Sequence, residues 1–170
     1  MHHRATRGFT LLELMAAVAV LGVLLAVGVP SFGNIIRKNR MATHTNALVS
    51  ALAVARSEAV KRSDPVTVCS TDAAQAACIL GWSNGWIMFT DGGAPGTVDP
   101  TDVILQRWSA PLDDGIGVTA PFAFVRFLRD GRPHSAGNFK LMPPICHDRD
   151  ARVVSLSAAG RVAARPELCP

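Results

Sequence analysis

The sequence predicts an α+β fold, in which one long N-terminal helix packs against a small domain of antiparallel β-strands. Three observations support this prediction. Residues 14–36 carry no charge, residues 35–62 contain neither Gly nor Pro, and the remainder consists of short β-like runs between turn residues. With 170 residues, 49% of them hydrophobic and 18% charged, the chain fits one domain with an appendage, and disorder is excluded.

The first 30 residues divide into a short cationic leader and an apolar run. Residues 1–8 form the leader, and the run from Phe9 to Val29 is closed by Pro30. As a helix this run spans roughly 30 Å, which is enough to cross a bilayer. No A-x-A cleavage site follows it, so it differs from a secretory signal. We therefore expect residues 9–30 to be a membrane helix, with the leader on the cytoplasmic side.

Glu13 is an unusual residue for such a helix. An isolated carboxylate near the end of a membrane helix costs a few kcal/mol unless it reaches the headgroups or pairs with a cation. The best partner in this sequence is the α-amino group of Phe9 on a neighbouring copy, which becomes free if the chain is cut after Gly8. The alternative is a plain single-span anchor with Glu13 among the headgroups.

The segment RGFTLLELMAAVAVLGVLLAVGVPSF resembles the N-terminus of type IV prepilins and type II secretion pseudopilins. The resemblance implies that a prepilin peptidase cuts after Gly8 and methylates the Phe9 amine. It makes Glu13 the fifth residue of the mature chain, with a role in assembly, and Pro30 the proline at which the helix kinks. The partners implied are other major and minor pilins or pseudopilins, the peptidase and the inner membrane.

Residues 31–63 are predicted to form an amphipathic stem helix. Its apolar positions recur at helical spacings, and Ser63-Asp64-Pro65 ends it. The apolar stripe consists of Met41, Leu48, Leu52, Ala55 and Ala59.

Residues 64–170 are predicted to form the β-rich domain. Short runs rich in β-branched and aromatic residues alternate with Gly, Pro, Asn and Asp, and tight turns are expected at Asp130-Gly131 and Ala159-Gly160. The runs are VTVC, GWIMF, DVILQRW, FAFVRFL, NFKLM, RVVSLS and GRVAA.

Four cysteines lie in this domain, which would face an oxidising compartment if the leader stays inside. Three pairings are possible. Cys69 with Cys78 closes a short loop and Cys146 with Cys169 holds the C-terminal tail, so this pairing is the first choice. A zinc site is the rival interpretation, but no C-x2-C spacing exists and His147 is the one histidine nearby. We therefore predict no metal and no cofactor.

Two other patterns invite a chemical interpretation. Residues 81–85 match the hydrolase pattern G-x-S-x-G, but a cysteine loop precedes them and a strand-like run follows, which favours a Gly-rich turn. Asp91, Asp99 and Asp102 lie in a Gly-containing loop that could hold Ca²⁺. Their spacing does not fit a calcium loop, so a solvated acidic loop is favoured.

The net charge of +4 is unevenly distributed, with +5 in residues 35–63, −6 in 64–114 and +4 in 115–170. A polyanion site should therefore lie late in the chain. Arg161 and Arg165 would fall on one strand face about 13 Å apart, a distance that covers several phosphates. From the residues alone, DNA binding and a solvated basic edge are equally good interpretations. The candidate DNA-binding residues are Arg161, Arg165, Arg152, Arg149 and Lys140.

The later segments, among them FVRFLRDGRPHSAGNFKLMPPIC and ARVVSLSAAGRVAARPELC, resemble the FimT/GspH family of minor pseudopilins. The resemblance implies a helix packed on two small sheets and a non-enzymatic minor subunit near a filament tip. Some FimT members bind DNA during transformation through a C-terminal GRxR-like motif. Gly160-Arg161 matches its first half, whereas Arg165 comes two positions after the place of the second arginine.

The resemblance favours a FimT-like minor type IV pilin with non-specific DNA binding for uptake. Such a chain is a single-pass inner-membrane protein with a periplasmic globular domain, and after assembly it lies in a pilus at the cell surface. The alternative is a GspH-like minor pseudopilin of a type II secretion system. A third interpretation is a peripheral binding module on a simple anchor.

Overall fold

A computed structural model describes residues 10–109 and 115–170 as one helix followed by eight strands. The helix α1 spans Leu11–Arg62, and the α+β class is as predicted. Seven strands coincide with the predicted runs, and β4 is an addition. The strands are β1 (Val66–Ser70), β2 (Gly85–Thr90), β3 (Ile104–Ser109), β4 (Gly117–Thr119), β5 (Phe124–Phe127), β6 (Gly137–Met142), β7 (Ala151–Leu156) and β8 (Val162–Glu167).

Helix α1 contributes to two compact units, which divide between Lys38 and Asn39. In the first unit the apolar side chains from Leu11 to Leu25 are exposed. Across residues 10–109 and 115–170, we find no helical stretch with both the length and the hydropathy that crossing a membrane requires. Pro30 falls within α1, but its side chain lies outside the described residues, so the kink stays a prediction.

The second unit, Asn39–Pro170, contains the rest of α1 and all the strands. The predicted apolar stripe of the helix is confirmed, since each of its five residues is buried. The helix ends at Arg62 with Ser63 at a φ of 53°. The N–H of Asp64 then donates to the carbonyl of Ala59 at 3.3 Å. This arrangement satisfies carbonyls that the last turn would otherwise leave unpaired.

The strands form two antiparallel four-stranded sheets, in the orders β3-β2-β1-β5 and β4-β6-β7-β8. Two sheets are what the family resemblance implied. The core lies where the apolar faces of α1 and the sheets meet, with Leu48, Val68, Phe127, Phe139 and Val154 all at 0% exposure. Burial of these faces against one another is the main stabilising term of the domain.

Both disulfides have the predicted pairing. Cys69 and Cys78 join β1 to the loop that follows it, with their Cα atoms 5.6 Å apart. Cys146 and Cys169 join the segment before β7 to the chain after β8, with their Cα atoms 5.8 Å apart. The second bond therefore holds the far end of the β7–β8 hairpin closed.

Candidate functional site

The candidate site is the outer face of the second sheet, where a row of residues crosses all four strands. Thr119, Lys140, Val153 and Arg165 are partners in register. Because side chains alternate along a strand and the neighbours Phe139 and Val154 lie in the main core cluster, this row lies on the opposite face of the sheet. Within the row, Val153 is itself buried, at 2% exposure. Lys140 and Arg165 are exposed, and two strand spacings place their backbones roughly 10 Å apart.

Arg161 lies just before β8, at the end of the turn from β7. The strand begins at Val162, one residue later than Arg161, so the arginine belongs to the turn and not to the predicted strand. The N–H of Ser157 donates to the carbonyl of Arg161 at 3.0 Å, so the hairpin pairing reaches back to this residue. Alternation therefore places Arg161 on the same side of the sheet as Arg165, about 13 Å away along the chain. Among the described residues, no hydrogen bond or ion pair involves the Arg161 guanidinium, whereas Nε of Arg165 lies 3.9 Å from Oε2 of Glu167.

Arg149 and Arg152 lie at the opposite end of the β7–β8 hairpin, beside the Cys146–Cys169 disulfide. Nη1 of Arg152 donates to the carbonyls of Arg149 and Ala151, at 2.8 and 3.0 Å. Six residues of β7, roughly 17–20 Å, separate this end from the turn that carries Arg161. Arg152 is next to Val153, which pairs with Lys140 and Arg165, but alternation places its side chain on the opposite face of the sheet, with that of Val154. The outer face therefore carries a central group, which consists of Lys140, Arg161 and Arg165, and Arg149 and Arg152 form a separate pair.

The turn before Arg161 depends on Gly160. This residue has a φ of 76°, its N–H donates to the carbonyl of Ser157 at 2.8 Å, and the N–H of Arg161 donates to Oγ of Ser157 at 3.0 Å. A Cβ atom on residue 160 would meet the carbonyl oxygen of Gly131 at 2.3 Å. Only glycine fits both the backbone conformation and the space.

The turn around Gly131 brings two more arginines, Arg129 and Arg132, to the same end of the domain as Arg161. The backbone N–H of Arg132 and then its guanidinium donate to Asp130, and these bonds hold the pKa of the Asp130 carboxyl below its usual value. Arg129 Nη2 lies 3.9 Å from Oδ1 of Asp64. Both arginines are exposed, and neither is among the five residues predicted to bind DNA.

The N-terminal processing residues Gly8 and Phe9 lie outside the described residues. Glu13 lies in the first turn of α1, where it is exposed and its backbone N–H donates to Oγ1 of Thr10 at 3.2 Å. The cleavage, methylation and assembly roles of these residues therefore stay predictions.

The carboxylates of the acidic loop are engaged with the loop's own backbone. Asp99 accepts from the N–H of Ala94, Asp102 accepts from the N–H groups of Gly92 and Asp99, and Asp91 accepts from the N–H of Gly96. Within residues 10–109 and 115–170, no group of three metal-ligating side chains is placed to hold an ion. The loop is therefore organised by internal hydrogen bonds.

The G-x-S-x-G segment leads from a turn into a strand. Gly81 has a φ of 90°, and strand β2 begins at Gly85. Oγ of Ser83 accepts a hydrogen bond from the N–H of Val118 at 3.1 Å. A nucleophile elbow leads from a strand into a helix, so the segment is the Gly-rich turn that the sequence favoured.

Comparison with known proteins identifies two sequence families along the chain. The family described as Type II transport protein GspH matches residues 44–160, and the prokaryotic N-terminal methylation motif matches residues 3–29. Two curated relatives are Type IV major fimbrial proteins FimA of Dichelobacter nodosus. One is 27% identical over 96 residues, 56% of this chain and 53% of the relative, and another is 26% identical over 121 residues, 68% and 70%. The chain thus spans about half the length of the first relative.

Among solved structures, the fold is similar to the type IV minor pilin FimU of Pseudomonas aeruginosa. One crystal form gives a TM-score of 0.59 at 19% identity, over 78% of this chain and 90% of FimU. A second form gives 0.58 at 19% identity, over 74% and 92%. At this identity the likeness establishes the fold alone. Since the GspH match covers well over half of the chain, the protein belongs to the GspH family of pilins and pseudopilins.

Proposed function

We propose that this protein is a FimT-like minor pilin, built into a type IV pilus at or near its tip, and that its second sheet binds the DNA backbone without sequence preference. The observation that carries the DNA proposal is the outer face, on which Lys140, Arg161 and Arg165 are exposed together.

The assembly half of the proposal rests on the N-terminal methylation motif at residues 3–29. Prepilin peptidase cuts after Gly8 and methylates Phe9 while residues 9–30 lie in the inner membrane and the globular domain is periplasmic. The freed Phe9 amine then pairs with Glu13 of a neighbouring pilin, which offsets the cost of a carboxylate among apolar helices. The partners are other major and minor pilins, and the chain catalyses no reaction.

The geometry of the outer face suits phosphates better than bases. Arg165 lies roughly 10 Å from Lys140 across the strands and about 13 Å from Arg161 along the chain, so the three cations span several phosphates of one strand. Arginine adds a planar fork of donors that matches phosphate oxygens. Aromatic side chains that could stack on bases are absent from the described part of this face, where the neighbours are Asn138, Ser155 and Ala163. Binding should therefore be weak and indifferent to sequence.

The second candidate function is that of a GspH-like minor pseudopilin in a type II secretion system. The family description favours it, since the GspH match covers residues 44–160. In that setting the outer face would be a solvated basic surface that discourages pairing between sheets.

Salt-dependent DNA binding tests the DNA half of the proposal. The full chain in nonionic detergent should bind labelled duplex DNA with micromolar or weaker affinity. The slope of log K against log salt should be roughly −3 for three phosphate contacts. Arg161→Gln, Arg165→Gln and Lys140→Gln should each flatten it by about one unit.

Arg149→Gln and Arg40→Gln are matched controls, since each removes one exposed charge away from the central group. Binding that responds equally to all five variants would indicate general charge attraction. A wild-type chain that does not bind at low salt would leave assembly alone as the function.

A further inference from the structure

Three elements of the chain meet at one end of the globular domain. They are helix α1 at Arg56, the turn between β5 and β6 at Gly131, and the turn between β7 and β8 at Gly160. Nη1 of Arg56 donates to the carbonyl oxygen of Gly160 at 3.0 Å, across a separation of 104 residues. This bond connects the helix directly to the turn that presents Arg161.

The stem of Arg56 also fills the space between the two glycines. A Cβ atom on Gly131 would lie 3.2 Å from Nε of Arg56 and 3.0 Å from Cγ2 of Val60. A Cβ on Gly160 would lie 3.1 Å from the same Nε and 2.3 Å from the Gly131 carbonyl oxygen. Both glycines are buried and Arg56 is half-buried, so the junction is a packed contact between three elements.

The hydrogen bond from Arg56 acts on the peptide group from which Arg161 departs. The carbonyl of Gly160 and the N–H of Arg161 belong to the same planar peptide group. A hydrogen bond that holds the carbonyl therefore also fixes the orientation of the backbone at Arg161. Arg165 lies within β8 and is held by the strand ladder. Arg161 precedes the strand, and its placement relies on the turn.

A guanidinium donor to a neutral carbonyl is a charge-assisted bond, which is stronger than a bond between neutral groups. Because the bond and the charge are half-buried, Arg56 has little opportunity to meet a ligand itself. Its contribution to binding would therefore be indirect.

We infer that Arg56 is a positioning residue for Arg161: it holds the β7–β8 turn through the Gly160 carbonyl, and Gly131 and Gly160 leave the room that this contact needs. The inference rests on the proposed DNA binding. Arg56 touches no phosphate and acts through the backbone of the turn.

Hydrogen exchange of the full chain in nonionic detergent tests the positioning without DNA. Arg56→Met keeps the aliphatic stem and removes the donor. It should speed exchange in a peptide covering residues 157–161 ten-fold or more, and leave a peptide covering β1 unchanged. Arg62→Met is the control, because Arg62 lies on the same helix and pairs with Glu58, at 2.6 Å. Exchange in Arg56→Met within two-fold of the wild type would overturn the inference.

A double-mutant cycle tests the link to the ligand. At about 0.1 M salt, Arg161→Gln should weaken duplex binding on the order of ten-fold, and Arg56→Met should weaken it by a similar factor. Since Arg56 acts through Arg161, the double variant should bind no more than two-fold more weakly than Arg161→Gln alone. Effects that multiply would show that Arg56 acts independently and would overturn the inference.

Arg56→Lys covers the case in which Arg56→Met does not fold, because it keeps the positive charge and a donor group but not the planar guanidinium. It should give exchange faster than the wild type and a smaller loss of binding than Arg161→Gln. Exchange equal to that of the wild type would contradict the need for the guanidinium. A wild-type chain that binds no DNA would overturn the proposed function and the DNA half of this inference, while the exchange result would still decide whether Arg56 orders the turn.

Discussion

Gly160 lies so close to the carbonyl oxygen of Gly131 that a Cβ atom on residue 160 would come within 2.3 Å of it. The Gly-Arg dipeptide at 160–161 therefore has two separate physical roles. The glycine is required by packing and by its φ of 76°, whereas the arginine that follows is exposed. A substitution of Gly160 should accordingly lower the free energy of unfolding, and a substitution of Arg161 should weaken DNA binding.

Gly160→Ala should lower the free energy of unfolding more than Gly81→Ala does. Both residues have positive φ, which costs an alanine about 1–2 kcal/mol. Around Gly81 no atom lies within 4 Å of an added Cβ, whereas at Gly160 the added atom meets backbone, and overpacking adds about 1–3 kcal/mol. Urea unfolding followed by tryptophan fluorescence measures the difference. Equal losses would contradict the close approach of the two turns.

Asp91→Ala should destabilise the domain by about 3–5 kcal/mol, because it removes the carboxylate that pairs with the largely buried guanidinium of Arg126 and leaves it only the backbone carbonyl of residue 91. Asp91 is fully buried, and its Oδ2 lies 3.6 Å from Nε of Arg126. It also accepts from Oγ1 of Thr67 and from the N–H of Gly96. The loss is measured by comparing the denaturant-unfolding midpoint of Asp91→Ala with that of the wild type.

The control for Asp91→Ala is the double variant in which Arg126 is also replaced. Asp91→Ala combined with Arg126→Met removes both charges, so its cost should be smaller than the sum of the two single costs. Simple additivity would show that the ion pair is not coupled.

The sequence predicted the helical stripe and seven strands because their patterns are local. Met41 to Ala59 recur at helical spacing, and each predicted run has enough β-branched or aromatic residues to be recognised. Strand β4 has only Gly117, Val118 and Thr119. Three residues carry no pattern, and their conformation comes from pairing with β6, which is a tertiary effect.

The candidate site was predictable only in part, for a similar reason. The spacing of Arg161 and Arg165 follows from strand geometry, which is visible in a sequence. The separation of Arg152 from them depends on which face of the second sheet packs on the core, which is a tertiary property. The contact between Arg56 and Gly160 joins residues 104 positions apart, and no local sequence pattern predicts it.

Acid should destabilise the domain through carboxylates that are hydrogen-bonded in the folded state. Hydrogen bonds from Arg62 and then Lys61 hold the pKa of Glu58 below its ordinary 4.5, and bonds from Arg132 hold that of Asp130 below 3.8. A depressed pKa means that the unfolded chain binds protons first as the pH falls. The stability from these groups is therefore complete above about pH 4.5 and is lost as the pH drops through the folded pKa.

Thermal midpoints between pH 7 and pH 2 measure this loss. Asp130→Asn and Glu58→Gln should each lower the midpoint at pH 7 and reduce its fall in acid, because each removes one titrating group. A thermal midpoint that rises as the pH falls would contradict the lowered pKa values of Glu58 and Asp130.

The last prediction concerns the processing of the N-terminus and the charge of Glu13. Intact-mass analysis of the mature protein should show the loss of residues 1–8 and the addition of one methyl group, and a chain that retains Arg7 would contradict the pilin assignment.

Glu13→Leu makes the segment more apolar, so the protein should still enter the membrane fraction. It should nevertheless be missing from sheared filaments, because the Phe9 amine of a neighbour no longer meets a carboxylate. Glu13→Gln is the matched control, since it keeps the size and hydrogen bonding of the side chain and removes only its charge. If the charge pair drives assembly, both variants should be excluded from filaments. Normal incorporation of Glu13→Gln would mean that hydrogen bonding alone suffices, and normal incorporation of both would refute the pairing.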